Sequence, residues 1–123
     1  MAKSKQNNSE KLTQSIIQGI QEKKGYGIVR MNLSNLANSV SNYFVICHGN
    51  TKVQVEAIAD AVEENVRKKI GDKPWHKEGF ENAEWILLDY VDVVVHIFQE
   101  NTRTFYSLEK LWADAEIKEY DNE

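Results

Sequence analysis

Residues 85–98, with the sequence WILLDYVDVVVHIF, constrain the fold of this 123-residue chain more than any other segment. They contain two runs of β-branched, aliphatic and aromatic residues, which are typical of buried β-strands. Between these runs, the acidic corner at residues 89–92 provides aspartate side chains that favour turns. The pattern therefore predicts a buried β-hairpin at the centre of a small domain.

The remainder of the chain alternates between helical and strand-like patterns. Apolar residues three and four positions apart predict helices, and alternating or continuous apolar runs predict strands. The predicted helices span residues 9–24, 51–70 and 102–113, and the predicted strands before the hairpin span residues 28–33 and 43–47. The order of these elements predicts an α/β domain with a mixed β-sheet of four or five strands covered by helices.

Composition predicts one domain with polar ends. We expect a flexible N-terminus over residues 1–8, a folded domain over residues 9–113 and an acidic flexible tail over residues 114–123. The formal net charge of −4 argues against nonspecific binding to nucleic acid or anionic lipid, which both need a positive face. There is no apolar run long enough for a membrane span and no secretory signal, which together predict a cytoplasmic protein.

The titratable residues form no recognised catalytic or metal-binding motif. The three histidines lack metal-ligand spacing, and the single cysteine, Cys47, lies within an apolar run that predicts a buried thiol. His96 has two interpretations, as a core histidine or as a general base oriented by Asp89 or Asp92. The surrounding stretch supplies no serine or cysteine nucleophile for such a base. No cofactor is predicted.

Asp89 and Asp92 also allow two interpretations. Paired carboxylates can hold Mg²⁺, which makes a Mg²⁺-dependent, nucleotidyltransferase-like enzyme the alternative function. Their spacing of three residues across a corner instead favours a turn, where aspartate side chains accept backbone hydrogen bonds.

The last predicted helix carries a candidate binding surface. Its predicted apolar face consists of Phe105, Leu108, Leu111 and Trp112. Tyr106 lies off that face, beside the charged residues Glu109 and Lys110. An exposed tyrosine among charges is typical of protein-binding surfaces, where aromatic side chains often dominate the binding energy.

Four segments together have a family resemblance. They are SNYFVI at residues 41–46, QVEAIAD at 54–60, LDYVDVVVH at 88–96 and TFYSLEKLW at 104–112. They occur in one order without large gaps, and the hairpin combined with the pattern Tyr-x-Leu-Glu-x-Leu-Trp is specific. With these segments, the chain resembles the ribosomal silencing factor family, also called the RsfS or Iojap family.

The resemblance implies a nucleotidyltransferase-like fold without that chemistry. It also implies a non-enzymatic translation repressor. Family members bind the large ribosomal subunit through ribosomal protein L-fourteen, and they sterically block its association with the small subunit. This repression is a stress response to a shortage of nutrients. The resemblance further implies that the protein is a homodimer when it is not bound to the ribosome.

We expect the contact surface to combine aromatic anchors with charges that complement a basic ribosomal protein. The predicted contact residues are Trp85, Asp89, Asp92, His96, Tyr106, Glu109, Lys110 and Trp112. Val91 occupies a corner that family members often fill with glycine. Its presence predicts that this corner needs no positive φ angle.

Overall fold

A computed structural model describes residues 2–34, 41–111 and 113–121 of the chain. The elements in this part of the chain are α1 (Ala2–Glu22), β1 (Tyr26–Asn32), β2 (Tyr43–Gly49), α2 (Lys52–Lys69), β3 (His76–Glu78), β4 (Trp85–Asp89), β5 (Val93–Gln99), α3 (Glu100–Tyr106), α4 (Leu108–Leu111) and β6 (Glu116–Tyr120). Among these helices, none combines the length and the apolar character that crossing a membrane requires.

The strands form one mixed sheet in the spatial order β3-β4-β5-β2-β1-β6. The central pair, β2 and β5, is parallel, and every other neighbouring pair is antiparallel. The predicted hairpin is confirmed as β4 and β5, with Trp85 opposite Phe98. The α/β class and the mixed sheet are therefore confirmed. The predicted number of four or five strands is wrong, because the described residues already form six.

The two additional strands lie at the edges of the sheet and are polar. All three residues of β3 are exposed, as are four of the five residues of β6. β6 pairs along the outer edge of β1, from Ile28 opposite Tyr120 to Asn32 opposite Glu116. Backbone pairing, and not an apolar pattern, fixes β6, so the prediction of a flexible acidic tail over residues 114–123 misses this strand.

The two long helices differ in how well their starts follow from the sequence. α2 begins as predicted, because the Thr51 side chain caps it by accepting a hydrogen bond from the Gln54 amide at 3.0 Å. α1 begins at Ala2 and not at Ser9, and so extends through the predicted flexible N-terminus. Residues 2–8 contain no glycine or proline that would stop a helix before Ser9.

One face of the sheet packs against α1 and α2. The core on this face includes Ile16, Ile20, Val45, Cys47, Ile58, Val62, Val95 and Ile97. The two helices approach closely at Gly19, where an added Cβ would lie 2.8 Å from the Cα atom of Val62. The Cys47 thiol is buried as predicted, and burial raises its pKa to about 12.

The other face of the sheet carries a smaller core and the two short helices. This core includes Met31, Phe44, Ile46, Phe98 and Leu108. The predicted single helix over residues 102–113 is broken at Ser107, which has a left-handed φ of +49°. The break leaves Leu108 buried and Phe105 80% exposed, so the predicted burial of Phe105 is wrong.

Candidate functional site

The predicted contact residues separate into two groups. Asp89 and Asp92 flank the corner between β4 and β5, whereas Trp85 begins β4 and packs against Tyr106. Four residues along a strand separate Trp85 from Asp89, which corresponds to about 13 Å. Trp112 lies outside the described residues. The structure therefore brings Trp85 and Tyr106 together and places the two aspartates at a distance from them.

An aromatic cluster of Trp85, His96, Phe98, Phe105 and Tyr106 lies at the first group. The Trp85 ring is centred 4.9 Å from Phe98 and 4.8 Å from Tyr106. Phe105 meets Tyr106 edge-on, with ring centroids 5.0 Å apart. Exposure rises through the cluster, because Phe98 is fully buried, Tyr106 is 51% exposed and Phe105 is the most exposed of the five. The cluster thus presents two rings to solvent on a buried aromatic base.

His96 is one of the buried rings of this aromatic cluster. It is only 4% exposed, and its Nδ1 accepts a hydrogen bond of 3.1 Å from the Trp85 indole Nε1. Burial lowers the pKa of His96 to about 4, so the ring is neutral at pH 7 and carries its proton on Nε2. Trp85 orients the ring in place of the aspartates considered from the sequence. The structure therefore places His96 in the core behind Trp85 and not on the exposed surface predicted for it.

The acidic corner is organised as a turn. The Asp89 Oδ1 accepts a hydrogen bond of 2.8 Å from the Val91 amide, and the Asp92 amide donates to the Tyr90 carbonyl at 3.0 Å. Val91 has a φ of +76°, so the prediction that this corner needs no positive φ is wrong. The engagement of Asp89 favours the turn interpretation. In the part of the chain that the structure describes, no group of three or more His, Cys, Asp or Glu side chains could hold a metal ion.

A polar network lies beside the aromatic cluster and centres on Arg103. Its Nη1 lies 2.9 Å from the Nδ1 of His48, and its Nη2 donates to the Oε2 of Glu109 at 2.7 Å. Burial and the neighbouring Arg103 guanidinium lower the pKa of His48. Glu109, predicted as a contact residue, is thus already paired within the protein, whereas Lys110 is exposed.

Arg103 and Phe105 are two residues of this site that the sequence prediction missed. A signal for Arg103 exists, since it precedes Tyr106 by three residues and so shares its helix face. No such signal exists for the exposure of Phe105, because it depends on the break at Ser107.

An open cavity of about 520 Å³ adjoins the cluster, with Trp85 and Tyr106 among its lining residues. Its lining includes three carboxylates, Glu78, Glu81 and Glu84. Among the described residues that line it, Lys77 is the one cationic side chain, and its Nζ is already 3.1 Å from a carboxylate oxygen of Glu63. Aromatic walls with an excess of carboxylates suit a basic side chain, because both attract cations.

Comparisons with known proteins agree with one another. The family model described as "Ribosomal silencing factor during starvation" matches residues 6–123. A ribosomal silencing factor RsfS from Halalkalibacterium halodurans is 37% identical over 114 residues, covering 93% of this chain and 96% of the relative. An RsfS protein from Bacillus subtilis is 39% identical over 100 residues, covering 81% of this chain and 83% of the relative.

The fold agrees with the sequence matches. A crystal structure of a protein from Chromobacterium violaceum is similar, with a TM-score of 0.79, 30% sequence identity and coverage of 85% of each chain. The family model spans both the hairpin and the last short helices. The chain therefore belongs to the ribosomal silencing factor family.

Proposed function

We propose that the protein binds the large ribosomal subunit through ribosomal protein L-fourteen and blocks association with the small subunit. Translation is thereby repressed. The match of the family model to residues 6–123 carries this proposal. The mechanism is steric and requires no reaction, so we propose a non-enzymatic cytoplasmic factor without a cofactor. A homodimer off the ribosome and a nucleotidyltransferase-like fold remain predictions.

The aromatic cluster is the proposed centre of the contact surface. The rings of Tyr106 and Phe105 are exposed, and the Trp85 ring packs against that of Tyr106. Aromatic anchors of this kind dominate many interfaces when they become buried. His96 contributes indirectly, since its hydrogen bond fixes the orientation of the Trp85 indole.

The charges around the cluster fit a basic partner. Glu78, Glu81 and Glu84 line the adjoining cavity and can meet lysine or arginine side chains of a ribosomal protein. Lys110 and the Arg103-paired Glu109 form the rim on α4, and the contact roles of Asp89, Asp92 and Trp112 remain proposals. Charge complementarity of this kind raises the association rate and the specificity of binding.

The function is tested by subunit association. Purified large and small subunits are mixed with and without the protein and separated on a sucrose gradient. We expect the protein to reduce the fraction of joined ribosomes and to sediment with the large subunit. Joined ribosomes that form as readily with the protein as without it would contradict the proposal.

The contact surface is tested by Tyr106→Ala. Because Tyr106 is half-exposed, its loss should shift the thermal melt by only a few degrees while weakening large-subunit binding about tenfold or more. Binding is measured by co-sedimentation at several subunit concentrations. Val53→Ala is the control, since Val53 is an exposed apolar residue on α2, a helix that packs on the opposite face of the sheet. Equal binding by the two variants would place the contact elsewhere.

A further inference from the structure

We propose that Arg103 is a positioning residue, which holds the short helix α3 so that Phe105 and Tyr106 are presented to the partner. The positioning is a property of the free protein. Only its consequence for binding rests on the proposed function.

α3 has little packing of its own. It is seven residues long and contains no buried residue, and its N-cap, Gln99, makes no side-chain capping hydrogen bond. Helices this short are marginal in water unless tertiary contacts hold them. The orientation of Phe105 and Tyr106 therefore depends on the few contacts that α3 makes with the rest of the molecule.

Arg103 supplies contacts to two other elements. Its guanidinium lies between the His48 ring on β2 and the Glu109 carboxylate on α4, at 2.9 and 2.7 Å. The side chain is only 13% exposed although it is charged. A partly buried guanidinium with two partners is a directed interaction, unlike the solvated ion pairs of a helix surface.

The neighbouring strand provides space for this side chain. Gly27 has a φ of +58°, and an added Cβ there would lie 2.5 Å from the Arg103 Nη1. On the same strand, the Tyr26 ring stacks on His48 with a centroid distance of 5.7 Å. β1 therefore leaves room for the guanidinium and also supports its histidine partner.

Arg103 and Tyr106 together fix α3 on one helix face. They are three residues apart, and so both point toward the sheet. Arg103 reaches His48 on β2, while the Tyr106 ring packs 4.8 Å from that of Trp85 on β4. Two attachments to different strands fix both the position and the rotation of the helix. Without Arg103, the packing of Tyr106 against Trp85 remains as the second of these two attachments.

The contact between Arg103 and His48 requires a donor at position 103 and an acceptor at position 48. Arginine has only donors, so the His48 Nδ1 must act as the acceptor, which requires a neutral ring. Lysine cannot reproduce the planar fork that reaches two acceptors at once. An asparagine at position 48 can still place an acceptor oxygen near the position of Nδ1, whereas a leucine cannot.

Amide hydrogen exchange of Arg103→Met tests the positioning directly. Methionine keeps much of the aliphatic stem and removes both hydrogen bonds. We expect exchange over residues 100–111 to accelerate about tenfold or more, because local opening becomes easier, while α1 and α2 are unchanged. Arg67→Met is the matched control, since Arg67 forms an exposed ion pair with Glu64 on α2. Unchanged exchange over residues 100–111 in Arg103→Met would overturn the proposal.

A second pair of variants covers the case in which Arg103→Met does not fold. His48→Leu should accelerate exchange over residues 100–111, and His48→Asn should leave it close to that of the unmodified protein. Equal exchange in the two variants would mean that the acceptor at position 48 does not hold α3, which would also overturn the proposal.

Large-subunit binding separates this inference from the proposed function. If Tyr106→Ala weakens binding, Arg103→Met should weaken it about tenfold as well, although only 13% of the Arg103 side chain is exposed. Normal binding by Arg103→Met alone would overturn the positioning role. Normal binding by Tyr106→Ala would instead reject the proposed contact surface, and hydrogen exchange would still decide the role of Arg103.

Discussion

Val91 has a backbone conformation that residues with branched side chains rarely adopt. Its φ of +76° is imposed by the turn, in which its amide donates to Asp89 and the Asp92 amide donates to the Tyr90 carbonyl. This is a γ-turn with a positive φ at its central residue, which is a rare and strained form. The Val91 side chain is 56% exposed and so recovers little of this cost through burial.

We therefore expect Val91→Gly to stabilise the protein. Glycine has no Cβ and removes the strain, which should raise the free energy of unfolding by about 1 kcal/mol after the entropy cost of glycine. Urea unfolding measures the change. Val53→Gly is the control, since Val53 is also exposed but lies in the first turn of α2, where glycine relieves no strained φ and should not stabilise. A loss of stability in both variants would show that the corner carries no strain.

Individual side chains differ in how far the sequence predicts their environment. The exposure of Tyr106 follows from helical periodicity, and the burial of Cys47 follows from the apolar run around it. The exposure of Phe105 does not follow, because the left-handed φ of Ser107 ends the helical periodicity just after Tyr106. Serine is not a residue type that signals this conformation, so a continuous helix is the natural prediction.

The contact between α1 and α2 depends on one glycine in the middle of a helix. Gly19 lets the backbones approach, and the Asn65 side chain on α2 donates to the Ser15 carbonyl on α1 at 2.6 Å. An alanine at position 19 would place its Cβ against backbone atoms of Ala61 and Val62, which cannot move aside easily. Close packing thus outweighs the low helix propensity of glycine here.

Gly19→Ala should consequently lower stability. In an exposed helix the change would stabilise by about 1 kcal/mol, but the overpacking of this contact should cost more and leave a net loss of about 1–2 kcal/mol. Denaturant unfolding gives the difference. Gln14→Ala, at an exposed position of the same helix, should be neutral or slightly stabilising. A Gly19→Ala protein more stable than the original would mean that the helices lie further apart than described.

The secondary-structure elements show which patterns the sequence encodes locally. β2 and β5 are buried on both faces and appear as continuous apolar runs, so they are predicted. β3 and β6 are exposed and polar, and each is held by pairing with one neighbouring strand. β3 pairs with β4, and β6 pairs with β1. After β2, the chain passes through α2, β3 and β4, and the strand that lies parallel to β2 is β5. Which strands pair at the edges is decided by the assembled sheet and not by a local sequence pattern, so it could not be predicted from the sequence.

For the molecule as a whole, the buried histidine links stability to pH. The unfolded chain protonates His96 near its ordinary pKa of 6.5, whereas the folded protein does so only near a pKa of about 4. The unfolded state therefore binds more protons between these values. The free energy of unfolding should fall as pH falls from 6.5 toward 4, by up to about 1.4 kcal/mol per pH unit.

His96→Gln should reduce this dependence. Glutamine can still accept the hydrogen bond from Trp85, but it has no proton to gain. We expect the variant to lose less stability than the original protein between pH 7 and pH 5, measured by urea unfolding at both values. His48→Asn serves as the comparison, because the pKa of His48 is also lowered and contributes in the same direction. An unchanged pH dependence in His96→Gln would show that His96 does not cause it.

The pairing of β6 with β1 has a consequence for synthesis. Residues 116–120 pair with residues 28–32, so the outer edge of β1 stays open until that late segment has left the ribosomal exit tunnel. The central parallel pair likewise waits for β5, which follows β2 only after α2, β3 and β4. Long-range pairing slows folding, and an open strand edge invites association with other chains. A nascent copy of this protein therefore cannot complete this sheet until residues 116–120 have emerged and paired with β1.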